Sequence, residues 1–349
     1  MTAGNTKILV VGPAWVGDMV MAQTLFRILA GQYPQLTLDV LAPAWAAPVL
    51  ERMAEVHRAI DMPVGHGSLQ LGVRYRLGSD LAGEGYDQAY VLPNSLKSAL
   101  VPAFAEIPRR IGWRGEMRYG LLNDRRVLDK SRYPLMIERF AALAFAPGAA
   151  LPEPLPWPRL QVDSENQQRL TSALGLDPGM PLMTLCPGAR YGSSKQWPAD
   201  YYAALAQHYI GAGWQVLVLG SDNDKAFAGR ILGGLTDATR PACIDACGNT
   251  GLVDAVDLLA LSQVVVTNDS GLMHIAAAVG SKIVAIYGSS TPAFTPPLAD
   301  TVAIAALELD CRPCFERECP LGHLDCLRRQ SPEAIIGQVE ALLLQDTKA

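Results

Sequence analysis

The sequence predicts two α/β domains, each with a doubly wound parallel sheet, and three observations lead to that prediction. The 349 residues exceed the length of one typical domain. Short runs rich in β-branched residues alternate with longer amphipathic stretches, which is typical of parallel βαβ units. Residues 151–160 carry four prolines, which exclude a helix or a central strand, so this segment is expected to link the domains.

The same alternation of strands and helices is expected on both sides of the linker. In the first domain (residues 1–155), strands are predicted at 7–11, 36–41 and 86–92, with a helix at 19–31. In the second domain (residues 160–331), strands are predicted at 181–186, 215–219, 264–267 and 283–287, with helices at 199–211 and 252–261. A last amphipathic helix is predicted at 332–344.

The overall composition limits the function classes. A formal net charge of −5 argues against a general nucleic-acid binder, so an anionic partner must meet a local basic patch. No apolar stretch reaches the roughly 20 residues of a membrane-spanning helix, and the apolar run at 8–12 is too short for a signal peptide. Seven cysteines, an odd number, suit a reducing compartment, so we expect a cytoplasmic protein.

A glycine-containing loop follows the first predicted strand. Residues 12–18 (GPAWVGD) lead into a helix that is expected to begin at Gly17 or Asp18. The loop does not match G-x-G-x-x-G and is longer than that tight turn, which disfavours a nicotinamide enzyme. Asp18 is expected at the carboxyl ends of the strands, where it is either a helix-start carboxylate or a catalytic group.

Two loops of the second domain suit an anion. Residues 186–198 follow a strand, and their small side chains let backbone N–H groups approach an oxyanion beside Lys195. They lack the ATPase-type P-loop pattern, and a plain surface loop is the alternative. In the second loop, Ser270 and Gly271 open a helix and expose unpaired donors to a diphosphate. The alternative for Asp269 is a role as a helix cap only, and the alternative for His274 is a histidine that packs within the helix without binding a ligand.

Three further segments contain candidate binding residues, and the sequence leaves more than one role open for them. The loop at 219–224, which contains Gly220 and Ser221, ends a strand and suits a nucleoside ribose. The basic segment at 108–126 suits an anionic acceptor or a solvated charged face; its arginines are Arg109, Arg110, Arg114, Arg118, Arg125 and Arg126. The last segment contains Cys311, Cys314, Cys319 and Cys326, which are free or transiently paired thiols or ligands of a structural zinc ion.

Four motifs together resemble one family. They are residues 12–19 (GPAWVGDM), 91–99 (VLPNSLKSA), 112–120 (GWRGEMRYG) and 267–274 (TNDSGLMH). The motifs resemble the lipopolysaccharide heptosyltransferases of glycosyltransferase family 9, and those of the first domain resemble type II better than type I. The likeness covers nearly the whole chain. The cysteine-rich tail departs from some members of the family, so the role of these cysteines does not follow from the resemblance.

The resemblance implies a fold and a reaction. The fold would be GT-B, with two Rossmann-like doubly wound domains facing a central cleft and residues 332–349 packing back on the first domain. The reaction would be an inverting transfer of L-glycero-D-manno-heptose from ADP-heptose, without a metal ion or other cofactor. The acceptor would be heptose I of an anionic lipid A–Kdo–heptose, met by peripheral contact at the inner face of the inner membrane. Nucleic acid is not an expected partner.

The resemblance also implies roles for residues of this chain. Asp18 would be the general base that takes the proton of the acceptor hydroxyl. The donor would be bound by Lys195, Asp269, Ser270, Gly271, Leu272 and His274, with Gly220 and Ser221 from the third loop. The acceptor would be bound by Asn94, Lys97, Arg110, Arg114 and Arg118.

Three alternatives remain at the level of the sequence. A sibling transferase would add heptose at another position of the core. A GT-B sugar-nucleotide epimerase would need no acceptor site, which leaves the basic segment unexplained. A non-catalytic nucleotide-sugar binder would tolerate replacement of Asp18, because the fold alone hosts many activities.

Overall fold

A computed structural model describes residues 5–65 and 67–345. The chain divides into two compact units, Met1–Arg159 and Leu160–Ala349. The boundary therefore lies at the end of the proline-containing segment 151–160, which contains neither helix nor strand. Each unit has its own parallel sheet.

The first unit alternates strands and helices. Its strands are β1 (Thr6–Val11), β2 (Leu36–Ala42), β3 (Arg58–Asp61), β4 (Gln88–Val91), β5 (Arg109–Trp113) and β6 (Asp124–Arg126). Its helices are α1 (Val16–Gln32), α2 (Ala47–Leu50), α3 (Leu71–Ala82), α4 (Leu100–Phe104) and α5 (Met136–Ala141). The strands form one sheet in the order β3-β2-β1-β4-β5-β6.

The second unit repeats this plan. Its strands are β7 (Leu182–Cys186), β8 (Gln215–Val218), β9 (Cys243–Asp245), β10 (Val264–Asn268), β11 (Ile283–Ile286) and β12 (Val302–Ala305). Its helices are α6 (Ser164–Leu174), α7 (Ala199–Gly211), α8 (Lys225–Gly233), α9 (Leu252–Leu261), α10 (Gly271–Ala278), α11 (Asp325–Arg328) and α12 (Pro332–Leu343). The sheet order is β12-β11-β10-β7-β8-β9.

Both sheets reverse their winding beside the first strand of the unit. β1 pairs in parallel with β2 and β4, and β7 pairs in parallel with β8 and β10. The chain therefore winds outward in opposite directions from each of these central pairs. In open α/β sheets, ligands bind at the carboxyl ends of the strands at this reversal. The loops after β1, β4, β7 and β10 are thus the places to look for a site.

The central strands form because their side chains are apolar on both faces. Ile8, Leu9 and Val10 of β1 are fully buried, as are Val264, Val265 and Val266 of β10. Continuous apolar runs of this kind suit a parallel strand that is covered by helices on both sides. Because these strands are buried, they fix the positions at which the loops after β1 and β10 begin at the edge of each sheet.

The observed elements confirm most of the predicted ones. α7 and α9 have the predicted bounds, and α1 begins at Val16, slightly before the expected start. The sequence did not predict the edge strands β3, β6, β9 and β12, nor β5, which lies between β4 and β6. α12 packs against α7, β11 and β12 of the second unit. The expected packing of residues 332–349 on the first domain stays a prediction, and residues 346–349 lie outside the described residues. Among the described residues, no helix is long and apolar enough to cross a membrane.

Candidate active site

A cleft of about 510 Å³ lies at the carboxyl ends of β1 and β4 in the first unit. The loop after β1 and the first turn of α1 form one wall, which includes Trp15 and Asp18. The loop after β4 forms another wall with Asn94 and Lys97. Asp18 and two of the predicted acceptor residues therefore line the same cleft.

The Asp18 wall is fixed by close packing and one indole hydrogen bond. A Cβ at Gly12 would lie 2.5 Å from Met19 Cε and 3.2 Å from Val40 Cγ1, so a side chain at this position would require the Met19 side chain to move. Trp45 Nε1 donates to the carbonyl of Ala14 at 3.1 Å. Asp18 follows in the first turn of α1 and is partly buried.

The Asn94 wall is held from behind by the turn after β5. A Cβ at Gly115 would lie 2.3 Å from the Asn94 carbonyl oxygen, so glycine permits the close approach. The backbone N–H of Glu116 donates to the Asn94 carbonyl at 3.1 Å, and Glu116 Oε2 accepts from the Leu96 N–H at 2.6 Å. The motif 112–120 therefore shapes the loop that carries Asn94 and Lys97.

Arg118 is placed differently from the sequence expectation. Its side chain is fully buried, and its guanidinium donates to the carbonyls of Pro93 (2.8 Å) and Trp113 and to Asn94 Oδ1 (3.2 Å). A buried arginine bound in this way positions the Asn94 loop. It is not an exposed contact for an acceptor.

Arg110 and Arg114 lie outside the residues that line the cleft. Arg110 is the second residue of β5, near the amino end of the strand, and donates to the carbonyls of Leu121 (2.7 Å) and Ile107 (2.6 Å). Arg114 is exposed beyond the end of β5. Arg110 and Arg118 thus support the local backbone and do not face the cleft, whereas a contact of the exposed Arg114 with an acceptor stays a prediction.

Sequence reasoning missed Arg74, which lines the same cleft. It is buried in α3 and donates to the carbonyls of Leu69 (2.6 Å) and Lys97 (3.2 Å). Burial lowers the pKa of Arg74, although arginine stays charged in proteins. No carboxylate within residues 5–65 and 67–345 neutralises it. Its spacing with Gly78 and Leu81 on the buried face of α3 was the available signal.

In the second unit, Lys195 and Asp269 meet at the carboxyl ends of β7 and β10. Lys195 Nζ lies 2.5 Å from Asp269 Oδ2, and the same oxygen accepts from Ser290 Oγ at 2.5 Å. The side chains of Lys195 and Asp269 are only 16% and 6% exposed, so their charges are poorly screened by water. The two loops predicted to hold an anion thus meet at one point.

The asparagine before this aspartate joins the two loops. Asn268 Oδ1 accepts from the Trp197 N–H (3.2 Å) and from Tyr202 Oη (3.1 Å), while Asn268 Nδ2 donates to the Pro187 carbonyl at 2.7 Å. All three partners belong to the segment that contains Lys195 or to the helix after it. Asn268 therefore fixes the distance between the loops after β7 and β10.

Ser270 stands at the start of α10 with an unsatisfied hydroxyl. Its backbone is extended (φ −146°), and its Oγ is buried without a hydrogen-bond partner among the residues that the structure describes. A buried polar atom without a partner costs about 1–3 kcal/mol. Gly271 and Leu272 follow as the first residues of α10, where backbone N–H groups have no intrahelical acceptor. An anion at this point would satisfy both needs.

The predicted ribose loop after β8 is closely packed. The Ser221 hydroxyl and the Ser221 N–H both donate hydrogen bonds to Asp224 Oδ2, at 2.7 and 2.8 Å. A Cβ at Gly220 would lie 2.9 Å from the Asp224 Cβ, so this glycine lets the turn close. Ser221 is therefore a capping residue here, and a contact of Gly220 or Ser221 with a ribose stays a prediction.

Comparison with known proteins assigns the family. The model of glycosyltransferase family 9 (heptosyltransferase) matches residues 74–325. The chain belongs to glycosyltransferase family 9. It is 48% identical to lipopolysaccharide heptosyltransferase 2 of Escherichia coli K12 over 345 residues, which cover 97% of this chain and 99% of that protein. Lipooligosaccharide heptosyltransferase 2 of Haemophilus influenzae is 47% identical, over 86% of this chain and 88% of that protein.

A solved structure supports the same assignment. The structure of E. coli ADP-heptose LPS heptosyltransferase II superposes with a TM-score of 0.90 and 46% identity, over 98% of this chain and all of that one. The predicted resemblance, the GT-B fold class and the glycosyltransferase activity are thereby confirmed. The predicted roles of individual residues remain predictions.

The cysteine-rich segment of this family 9 chain (residues 311–326) lies against the loop that contains Lys195 and against the loop after β11. All seven cysteines are free thiols. Within residues 5–65 and 67–345, no group of three histidine, cysteine or acidic side chains is placed to hold a metal ion. Zinc binding by Cys311, Cys314, Cys319 and Cys326 stays a prediction. The Phe315 N–H donates to the Ser289 carbonyl (2.9 Å), and the Ser194 N–H donates to the Arg317 carbonyl (3.1 Å).

His274 predicts a pH dependence of stability. Burial lowers its pKa to about 4; the charge of Asp269 raises this pKa and that of Lys195 lowers it further. Unfolding therefore takes up a proton between pH 4 and the ordinary histidine pKa of about 6.5. Above pH 6.5, His274 is neutral in both states and does not lower the free energy of unfolding. As the pH drops from 6.5 toward 4, its protonation in the unfolded chain lowers the free energy of unfolding by up to about 1.4 kcal/mol per pH unit.

Urea unfolding at several pH values measures this slope. His274→Gln keeps a neutral side chain and is expected to flatten the slope between pH 6.5 and 4. His208→Gln, which replaces a partly exposed histidine of α7, is the control and is expected to change it little. If His274→Gln keeps the slope of the unmodified chain, the buried neutral histidine is not its source.

Proposed function

We propose that this family 9 enzyme transfers L-glycero-D-manno-heptose from ADP-heptose to heptose I of the lipopolysaccharide inner core, with inversion at the anomeric carbon. The similarity to heptosyltransferase 2 from several bacteria supports the reaction class. The observation that carries the proposal is the Lys195–Asp269 pair, which lies one residue from the unsatisfied Ser270 hydroxyl at the start of α10.

The donor diphosphate would bind between Lys195 and the start of α10, where unsatisfied hydrogen-bond donors suit an anion. A lysine ammonium has three N–H donors, and Asp269 uses one of those of Lys195, so two are left for phosphate oxygens. The N–H groups of Gly271 and Leu272 and the Ser270 hydroxyl add neutral donors at a helix N-terminus. ADP leaves as an anion, and donors that are already oriented stabilise the charge as it develops.

The acceptor would bind in the cleft of the first unit. Asp18 would take the proton of the attacking hydroxyl, which is general base catalysis. Asn94 and Lys97 would hold the anionic saccharide, and the buried charge of Arg74 behind the Lys97 carbonyl would favour a negative group there. Arg114 remains an exposed candidate for a more distant part of the acceptor, and Arg118 acts through Asn94.

No metal ion has a role in this proposal, because Lys195 and the start of α10 supply the positive charge that the leaving group needs. The acceptor carries lipid A, so we place the reaction at the cytoplasmic face of the inner membrane, with peripheral contact only. A sibling transferase would share all of these features and differ only in the acceptor hydroxyl. An epimerase would not need the cleft that contains Asp18.

Release of ADP tests the proposal. The chain is incubated with ADP-heptose alone, with an acceptor that ends in heptose I, or with an acceptor that lacks it. We expect ADP release above background only with the heptose-bearing acceptor. Equal release with and without acceptor would indicate hydrolysis, and release with the truncated acceptor would indicate a sibling transferase. An epimerase would change the sugar of ADP-heptose without net release of ADP. NMR of the product gives the linkage position and anomeric configuration.

A further inference from the structure

A chain of hydrogen bonds leads from the cysteine-rich segment to the Lys195–Asp269 pair. Arg312 Nη2 donates to the Ser290 carbonyl at 2.9 Å. Ser290 Oγ donates to Asp269 Oδ2 at 2.5 Å, and Asp269 Oδ2 is also 2.5 Å from Lys195 Nζ. None of the four motifs that carry the family resemblance contains Arg312 or Ser290.

Arg312 fixes the loop after β11 at more than one point. Besides Ser290, its guanidinium donates to the carbonyls of Gly288 (Nε, 2.6 Å) and Leu307 (Nη1, 2.6 Å). The carbonyls of Gly288 and Ser290 converge on one planar fork, which defines the path of the chain from residue 288 to 290. The Leu307 carbonyl ties the same fork to the segment after β12. These contacts fix the backbone of Ser290 and thereby the position of its hydroxyl. Ser290 is buried, with 4% of its surface exposed.

The same loop is locked to the segment that carries Lys195. The Ser289 N–H donates to the Ser194 carbonyl at 3.1 Å, and the Ser194 and Ser289 hydroxyls are 3.0 Å apart. A Cβ at Gly288 would lie 2.2 Å from the Ser194 carbonyl oxygen, so only glycine allows this contact. The contacts between the loops after β7 and β11 therefore fix Lys195 and Ser290 relative to each other, and both side chains reach the same oxygen of Asp269.

We propose that Ser290, held by Arg312, is a positioning residue for donor binding: its hydroxyl fixes the Asp269 carboxylate, which in turn orients Lys195 toward the diphosphate. This inference rests on the proposed function. Neither Ser290 nor Arg312 needs to touch the donor. In the absence of the Ser290 hydroxyl, Asp269 keeps one strong partner, Lys195, and the ammonium is drawn toward the carboxylate and away from phosphate oxygens.

Binding of ADP to the full chain tests the inference by calorimetry. Ser290→Ala is expected to weaken ADP binding about tenfold, because hydrogen bonds to charged groups are among the strong ones. In transfer assays, the KM for ADP-heptose is expected to rise similarly, while kcat and the KM for acceptor at saturating donor change less than twofold. Arg312→Lys, which keeps the charge but loses the fork, is expected to weaken ADP binding in the same direction.

Ser262→Ala is the matched control for loss of a buried serine hydroxyl in the second unit. Ser262 Oγ contacts Thr184 Oγ1 (2.6 Å) and the Leu258 carbonyl (3.0 Å), and neither partner is in the chain that leads to Lys195. We expect this variant to lower the melting temperature about as much as Ser290→Ala does and to leave ADP affinity unchanged. Equal losses of ADP affinity in both variants would overturn the inference, because the effect would then be general destabilisation.

A double-mutant cycle separates action through Asp269 from direct contact with the donor. In an Asp269→Asn background, Ser290→Ala is expected to change ADP affinity less than twofold, since the carboxylate that it positions is gone. A full tenfold loss in that background would show that Ser290 acts on the donor itself. If the unmodified chain fails to bind ADP, the proposed function fails; if it binds ADP and Ser290→Ala binds equally well, only this inference fails.

Discussion

Replacement of Asp18 by asparagine is expected to lower kcat by about 10²- to 10⁴-fold, the usual contribution of a positioned general base. Asparagine has nearly the same shape but cannot accept the proton of the acceptor hydroxyl. Asp18 lies in the first turn of α1 and lines the cleft with Asn94 and Lys97, so it is within the region where the acceptor is proposed to bind. ADP affinity is expected to be unchanged, because the groups proposed to hold the diphosphate belong to the second unit.

The competing explanation is that Asp18 only stabilises the start of α1. A carboxylate at a helix N-terminus contributes about 0.3–1 kcal/mol to stability. That role predicts a lower melting temperature and a normal kcat for Asp18→Asn. Asp200→Asn is the matched control, since Asp200 also stands in the first turn of a helix but is exposed in the second unit. A normal kcat for Asp18→Asn would exclude Asp18 as the base.

The location of the site could be predicted from the sequence because parallel sheets follow a simple rule. The carboxyl ends of parallel strands share one edge, so the loops after β7 and β10 were expected on the same edge of the sheet. That the two strands are neighbours is seen only in the structure. Lys195 and Asp269 are far apart in sequence, but they follow paired strands and form an ion pair in which Lys195 Nζ and Asp269 Oδ2 are 2.5 Å apart. The Asp18 loop and the motif at 91–99 meet in one cleft for the same reason.

The basic segment could not be predicted correctly because its pattern is ambiguous. Six arginines in nineteen residues resemble an exposed patch, but Ile111, Gly112 and Trp113 are buried in β5. Arg110 and Arg118 were available to bind backbone carbonyls only because the chain folds back after β5. Such contacts depend on loop geometry, which no local pattern of residues records. Ser290 and Arg312 escaped the sequence analysis for the same reason.

Replacement of Lys195 by alanine is expected to weaken ADP binding by about 10- to 100-fold, from the loss of a charged donor in a poorly hydrated place. Two mechanisms would contribute. Lys195 would no longer donate to the diphosphate, and Asp269, at 6% exposure, would keep an unpaired negative charge that repels it. Lys282→Ala is the control, because Lys282 immediately precedes β11, at the opposite end of the strand from Ser290.

The two mechanisms are separated by adding Asp269→Asn to Lys195→Ala and measuring ADP affinity of both single variants and the double variant. If Lys195 mainly neutralises Asp269, removal of the carboxylate restores much of the lost affinity. If Lys195 donates to the phosphates, as proposed, the double variant stays at least about tenfold weaker than Asp269→Asn alone. Full recovery in the double variant would therefore contradict a direct contact, and the anion would then be held by the start of α10 alone.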